Sequence, residues 1–218
     1  MKKTLSLFLL LLSFQAIEAK TIAGKVISIH DGDTLTFLPS ETPTKKAKLR
    51  LMGVDTPEID FNGATQGESA EMARDYLKSM LPLNSTIQIE LSDKNMDSNN
   101  RYLGQIIYNG VDLNLEMLKA GWGALYFIYP YDKKIFVRYS EAALVASENK
   151  VGIYSDKFSH NPLPYIFRQE GKGVPGTNMI GNFKTKKLFA PEDIESVPHY
   201  NRVFFSNESS AFGQGFSW

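Results

Sequence analysis

The chain has 218 residues, 43% of them hydrophobic, which is enough for one folded domain with an appendage. It contains no cysteine, so disulfides and zinc sites built from thiolates are excluded. With 24 basic and 24 acidic residues the formal net charge is zero, which argues against a strong overall electrostatic attraction to nucleic acid.

The N-terminal segment, residues 1–19, has the composition of a secretory signal peptide. Lys2 and Lys3 precede an apolar run over residues 5–14, and the small residue Ala19 follows. The run is too short to cross a bilayer comfortably, and the alternative interpretation is a buried N-terminal helix. We expect the segment to be removed, leaving a secreted or periplasmic protein without stable membrane association.

Five strands are predicted next, together with three helices. Alternating or β-branched residues mark strands over 21–29, 34–38, 47–54, 86–91 and 102–108. Helical spacing marks one helix after Thr65, ending at Leu81-Pro82, and two more near 114–120 and 138–150. This order is typical of a small five-stranded OB-type β-barrel with three helices, an α+β fold, over residues 20–155.

The composition changes after residue 155. Residues 156–176 contain several prolines and glycines and are predicted to be a linker. Residues 177–218 form a small C-terminal extension with one predicted strand, Arg202 to Phe205. This segment is too small to be expected to fold by itself.

The first motif whose residues could bind a metal is the turn Asp31-Gly32-Asp33-Thr34. Asp33 lies at this turn and Asp55 at the end of a later strand, so a barrel could bring both carboxylates together. Converging carboxylates with backbone carbonyls are the oxygen ligands of Ca²⁺. The alternative is an ordinary hairpin turn, in which Asp and Gly are favoured residues.

The second motif is Arg50 followed by Asp55-Thr56-Pro57-Glu58. Pro57 requires extended backbone at Thr56, which presents the Thr56 carbonyl and the Glu58 side chain at defined angles. Arg50 lies within an alternating strand, and its guanidinium fork suits two phosphate oxygens. The alternatives are an exposed loop for the acids and a surface arginine paired with a neighbouring acid.

Two further features complete the set. Arg101 follows a polar turn and precedes a strand, where a second guanidinium would stabilise charge on a phosphoryl group; most such arginines are surface residues. The aromatic segment 121–129 could stack nucleic-acid bases, although core packing explains most of its residues. Within it, Tyr129 is the best candidate for contacting a base.

Taken together, these segments resemble the staphylococcal nuclease family over about residues 21–155. The resemblance includes the Asp-Gly-Asp-Thr turn, the arginine five residues before Asp-Thr-Pro-Glu, the later arginine, the aromatic segment and the alanine-rich helix. It implies an OB barrel with helices and an exported, calcium-dependent endonuclease that hydrolyses DNA and RNA, expected here to be a monomer.

The resemblance also implies a role for each site residue. Asp33 and Asp55 would be carboxylate ligands of Ca²⁺, and Thr56 would be a carbonyl ligand. Glu58 would orient or deprotonate the attacking water, and Arg50 and Arg101 would bind the phosphate. Tyr129 and Phe127 would contact the nucleotide. Phe127 replaces one of the two nucleotide-contacting tyrosines that are common in the family.

The extension has a weaker resemblance of its own. Ile180 through Phe205 and on to Phe216 is similar to a small Ada-type metal-binding module of some DNA-repair methyltransferases. That module holds zinc with cysteines, which this chain lacks, so the usual zinc ligands are missing. Two rival functions stay open at this point: a non-catalytic nucleic-acid-binding OB module and a phosphodiesterase for small nucleotides.

Overall fold

A computed structural model describes residues 20–173 and 176–218. The predicted signal peptide, residues 1–19, lies outside the described residues. Within the described part, none of the helices combines the length and the apolar character that a membrane crossing requires.

The five predicted strands and three predicted helices occur in the predicted order, with the third strand divided in two, and the structure adds strands over residues 111–112 and 124–128 and every element after residue 148 except the predicted strand at 202–205. The strands are β1 Thr21–Ile29, β2 Thr34–Pro39, β3 Ala47–Leu51, β4 Gly53–Asp55, β5 Thr86–Met96, β6 Tyr102–Tyr108, β7 Val111–Asp112, β8 Ala124–Ile128, β9 Met179–Asn182, β10 Leu188–Phe189 and β11 Arg202–Phe205. The helices are α1 Glu68–Met80, α2 Leu113–Lys119, α3 Lys133–Glu148, α4 Pro164–Lys172 and α5 Glu208–Phe212, with 3₁₀ turns at Gly152–Tyr154, Pro191–Ser196 and His199–Asn201.

Five strands close into a barrel. They pair in the order β3-β2-β1-β5-β6, and β6 pairs back onto β3 in parallel, which confirms the predicted OB-type α+β fold. Alternation on β3 places Leu49 and Leu51 in the core and Arg50 on the other face. Arg50 is opposite Thr34 of β2 and Leu103 of β6, so it sits at the seam that closes the barrel.

A break in the third predicted strand brings its two ends together. The chain turns at Met52 and Gly53, where the positive φ of 77° favours glycine and a Cβ would lie 2.4 Å from the Phe127 ring. The buried Asn114 amide of α2 donates to the Met52 carbonyl at 2.9 Å and fixes this turn. As a result β4 leaves the barrel and returns Asp55 towards Arg50.

The C-terminal extension continues the structure of the main domain. A second sheet has the order β10-β9-β11-β8-β4, in which β11 of the extension runs parallel to β8 and Val203 is opposite Phe127. The segment predicted to be a linker contains helix α4, which starts with Pro164 and is followed by Gly173 in the left-handed conformation.

One helix begins earlier than predicted. α3 starts at Lys133 because the Asp132 side chain accepts hydrogen bonds from the amides of Lys134, at 2.7 Å, and Ile135, at 2.9 Å. The sequence prediction did not identify Asp132 as the N-cap, because it follows directly after the aromatic segment.

A partly buried histidine of the extension, His199, should contribute to the pH dependence of stability. His199 stacks on Tyr154, with ring centroids 4.8 Å apart, and burial, helped by the charge of Arg202, lowers its pKa from 6.5 to about 4. At a pH between those two pKa values, His199 is protonated in the unfolded chain and neutral in the folded chain. The contribution of neutral His199 to stability is therefore fully present above pH 6.5 and is lost as the pH falls towards 4.

Thermal unfolding midpoints measured from pH 7.5 to 4 test this expectation. The variant His199→Gln should lose part of the acid-induced decrease, whereas His160→Gln, which alters an exposed histidine, should keep it. Parallel pH profiles for the wild type and His199→Gln would contradict the assignment.

Candidate active site

Arg50 organises a cluster of buried acids at the barrel seam. Its Nη1 donates to Asp33 Oδ1 at 2.5 Å, and its Nη2 donates to Asp55 Oδ1 and, at 3.3 Å, to the Val54 carbonyl. The two carboxylates, which belong to different sequence motifs, are thus held by one guanidinium group. The alternative of an exposed surface arginine does not apply, because only 12% of this side chain is exposed.

The Asp31-Gly32-Asp33-Thr34 segment is both a turn and part of the site. Asp31 Oδ1 accepts a hydrogen bond from the Asp33 amide at 3.0 Å, as expected of a turn residue. Asp33 itself points inward and is buried. Its Oδ1 accepts from the Thr34 hydroxyl at 2.9 Å and its Oδ2 from the Thr56 amide at 2.7 Å.

Thr56 joins the two acidic segments. Besides its amide bond to Asp33, its hydroxyl oxygen is buried and has no hydrogen-bond partner among the described residues. The turn packs closely here, since a Cβ at Gly32 would lie 2.8 Å from the Thr56 side chain. An unsatisfied oxygen beside two buried carboxylates is consistent with a place for a cation.

Glu58 lies at the edge of the cluster in a loop that is held in place. Its amide donates to the Gln66 side chain at 3.1 Å, and its carbonyl accepts from the Gln66 amide at 2.9 Å. Burial raises the pKa of Glu58 above its usual value, and the charge of Arg168 opposes the rise. A carboxylate with a raised pKa is better suited to accept a proton near neutral pH.

Arg168, on α4, is a member of the site that the sequence interpretation missed. Its Nη1 donates to Asp55 Oδ1 at 2.8 Å and to Glu58 Oε1 at 2.6 Å, and its Nη2 donates to Asp55 Oδ2 at 2.9 Å. The available signal was the helix pattern of Pro164 at the start and Gly173 at the end, within a segment interpreted as a linker. No local pattern indicated what Arg168 would contact.

Arg101 is connected to the cluster through one hydroxyl. Its Nη1 donates to Thr34 Oγ1 at 3.2 Å, and Thr34 in turn donates to Asp33. Its Nε donates to Asp97 Oδ2 at 2.7 Å, which orients the guanidinium from the preceding turn. The structure therefore brings together all six residues predicted for metal binding and catalysis: Asp33, Arg50, Asp55, Thr56, Glu58 and Arg101.

The two residues predicted to contact the nucleotide both pack against other aromatic rings, and their contact with a nucleotide stays a prediction. Phe127 is only 2% exposed and packs against Phe136 and Tyr139, so its ring offers little free surface. Tyr129 packs against Phe205, and its hydroxyl accepts from Gln214 of the extension at 3.2 Å. The extension thus provides the partners of Tyr129, a role that its position in the sequence could not reveal.

A groove of about 560 Å³ opens over the cluster. Its lining includes five basic side chains, Arg50, Lys94, Arg101, Arg168 and Lys172, and two tyrosines, Tyr126 and Tyr131. Three acidic residues, Asp31, Glu58 and Asp97, line it as well, so basic residues exceed acidic ones by two in the lining of a chain without net charge, and the two tyrosines offer aromatic surface.

The donor set fits a hard divalent cation. Asp31, Asp33, Asp55 and Glu58 supply four negative charges against two from Arg50 and Arg168, a formal charge of −2. Burial raises the pKa of Asp33, against the opposing charge of Arg50, as expected where acids accumulate without full compensation.

The present arrangement holds the acids by arginine instead. Over residues 20–173 and 176–218, no three acidic or histidine side chains converge as metal ligands. The available donors are the Asp33 and Asp55 carboxylates and the Thr56 carbonyl, all oxygen atoms of the kind that Ca²⁺ prefers.

Comparison with known proteins agrees with this geometry. The family described as "Staphylococcal nuclease homologue" matches residues 48–156, a span that includes Arg50, Asp55, Glu58 and Arg101. The match ends before α4.

Individual relatives extend further along the chain. Endonuclease YhcR of Bacillus subtilis is 30% identical over 202 residues, covering 88% of this chain, which itself spans only 16% of that protein. An uncharacterized endonuclease of Haemophilus influenzae is 28% identical over 83% of this chain and 89% of its own length. A thermonuclease of Staphylococcus hyicus is 30% identical over 61% of this chain and 75% of its own length.

Proposed function

Because this chain belongs to the family of staphylococcal nuclease homologues, we propose that it is a calcium-dependent nuclease that hydrolyses phosphodiester bonds in DNA and RNA. The observation that carries the proposal is the Arg50 fork, which joins Asp33 and Asp55 beneath a basic groove. The endonuclease names of relatives support the same reaction class.

Asp33, Asp55 and the Thr56 carbonyl would hold the Ca²⁺ ion. When bound, the ion would supply positive charge to the scissile phosphate and lower the pKa of a bound water. The hydroxyl of Thr34 and the amide of Thr56 keep the Asp33 carboxylate oriented for this task.

The groove side of the site provides the phosphate chemistry. Arg50 lies on β3 and Arg101 directly precedes β6, the strand paired with β3, and both guanidinium groups would stabilise the negative charge that grows on the phosphoryl oxygens. Glu58 lines the same groove and would take the proton of the attacking water, a role that suits its raised pKa.

We also propose that the enzyme is exported and works as a secreted or periplasmic monomer. The proposal rests on the sequence of residues 1–19, whose basic start, apolar run and small residue at 19 are typical of a signal peptide. A chain isolated from the producing cells and beginning near Lys20 would support it.

Cleavage of single-stranded DNA by purified residues 20–218 tests the reaction. The wild type should cut with Ca²⁺ and stop when excess chelator is added, because without the cation the buried carboxylates would repel the phosphate. Glu58→Gln, which keeps the size and hydrogen bonds of the side chain but not its basicity, should reduce turnover about 10²- to 10⁴-fold.

Glu41→Gln makes the same chemical change at an exposed loop position and should leave turnover unaltered. A folded wild type that binds DNA but never cuts it would favour the non-catalytic OB module. Faster turnover of a dinucleotide than of long DNA would favour a small-nucleotide phosphodiesterase.

A further inference from the structure

Both oxygens of Asp55, one of the two carboxylates proposed to hold Ca²⁺, are engaged by arginines. Asp55 Oδ1 accepts from both Arg50 and Arg168, and Asp55 Oδ2 accepts from Arg168. Asp55 is completely buried and does not line the groove, whereas Arg50 and Arg168, which bind it, both do. A cation can therefore reach Asp55 only if a guanidinium moves away.

Of the two arginines, Arg168 is the one with room to move. Arg50 lies on a strand of the closed barrel and is fixed by Asp33 as well as Asp55. Arg168 reaches the cluster from α4, at the side of the groove, and among the described residues its ion pairs are with Asp55 and with the outer carboxylate Glu58. Its guanidinium lies over the Tyr126 ring, 5.9 Å from the centroid, on the surface that lines the groove.

The helix that carries Arg168 is itself firmly anchored. Tyr165 is 2% exposed and stacks on Tyr126, with centroids 5.5 Å apart and planes at 17°. Arg202 of the extension donates to the Tyr165 hydroxyl at 2.7 Å. The carbonyl of Pro162, just before α4, accepts from the Gln66 side chain at 2.9 Å. Any displacement is therefore expected in the Arg168 side chain, with the helix staying in place.

A displaced Arg168 would stay in the groove, where phosphate is the natural partner. Arg50, Arg101 and Arg168 all line it, and Lys172 follows Arg168 by one helical turn on the same wall. A guanidinium binds two phosphate oxygens at once, which makes a phosphate group a suitable replacement for the carboxylates that Arg168 gives up.

We propose that Arg168 is a third phosphate-binding arginine of this site, supplied by α4 outside the family match. Asp55 and Glu58 hold it while no cation is bound, and the cation frees it to bind the substrate. The inference rests on the proposed function, because it assigns Arg168 to the same reaction. It predicts that Arg168 opposes cation binding and at the same time promotes turnover.

Two measurements on the intact chain, residues 20–218, test these opposite effects. The first is calorimetric titration with Ca²⁺ in the absence of nucleic acid. Arg168→Gln removes the competing charge, so its affinity for Ca²⁺ should rise roughly 5- to 150-fold, the range of ordinary coupling between sites. Arg168→Lys keeps a positive charge and should bind Ca²⁺ more like the wild type.

The second measurement is turnover of single-stranded DNA at saturating Ca²⁺. Arg168→Gln should be slower by roughly 10²-fold, the effect of losing one transition-state donor, and Arg168→Lys should be intermediate because it lacks the fork. Arg138→Gln, which removes an exposed arginine paired with Asp112 away from the groove, should change neither quantity. Circular dichroism and thermal unfolding establish that each variant is folded.

Each outcome decides the proposal. Tighter Ca²⁺ binding with unchanged kcat and KM would mean that Arg168 only neutralises the acids, and it would overturn the phosphate role. Unchanged or weaker Ca²⁺ binding by folded Arg168→Gln would overturn the competition. A wild type that cuts no nucleic acid would instead refute the proposed function, while the calorimetry would still report on the competition.

Discussion

Replacing Arg50 with lysine is expected to lower the turnover of single-stranded DNA roughly 10²- to 10³-fold. Lysine keeps the positive charge but is a single point donor, whereas Arg50 now bonds Asp33 through one nitrogen and Asp55 through the other. A lysine cannot hold both carboxylates and also present a planar donor pair to phosphate. The measurement is kcat at saturating Ca²⁺ and DNA.

Arg138→Lys provides the matched control, because it makes the same replacement at an exposed arginine that also pairs with an aspartate. Turnover of the control should equal that of the wild type. If Arg50→Lys is folded and retains wild-type kcat, Arg50 does not stabilise the transition state and the mechanism proposed here is wrong.

The second large effect concerns the C-terminal extension. Phe205→Ala should lower the free energy of unfolding by about 3–5 kcal/mol, the usual cost of truncating a buried phenylalanine. Phe205 is 0% exposed and packs edge-on against Phe216, with centroids 4.9 Å apart, and against Tyr129 at 5.7 Å. Its strand, β11, lies between β9 and β8, so the cavity would open at the junction with the nuclease domain.

Urea unfolding of Phe205→Ala and of a control, Phe212→Ala, shows whether the loss is specific to the buried ring or follows any truncation in the extension. Phe212→Ala makes the same truncation seven residues later, where the ring is 46% exposed, and should cost well under 1 kcal/mol. Similar values for the two variants would show that the extension is only loosely attached. A large loss in Phe205→Ala alone would establish that the extension and the barrel unfold as one unit.

The barrel was predictable because its strands have strong local patterns. Leu49 and Leu51 alternate with charged residues on β3, and such alternation has one simple interpretation as a half-buried strand. That the six candidate metal-binding and catalytic residues would lie close together was predictable for a different reason. They occur in short motifs, such as Asp55-Thr56-Pro57-Glu58, whose spacing is also found in the family that the chain resembles.

The packing of Phe127 and Tyr129 could not be predicted from the sequence, and their contact with a nucleotide stays a prediction. The sequence of an aromatic-rich strand does not show which of its faces is buried, because that depends on other elements that pack against it. Here β11 pairs with β8 and brings Phe205 and Gln214 against Tyr129, while Phe127 faces α3. The partner that decides this burial lies far along the chain.

The amino-acid sequence by itself therefore determined the strands, the main helices and the motifs that place Asp33, Arg50, Asp55 and Glu58 in one site. Only the tertiary structure decided that Arg168 joins them and that the extension completes the sheet. Arg168 is 113 residues from Asp55, and nothing near it in the sequence specifies a carboxylate partner. Local patterns report local backbone preferences, whereas a contact over such a distance depends on how the folded elements pack.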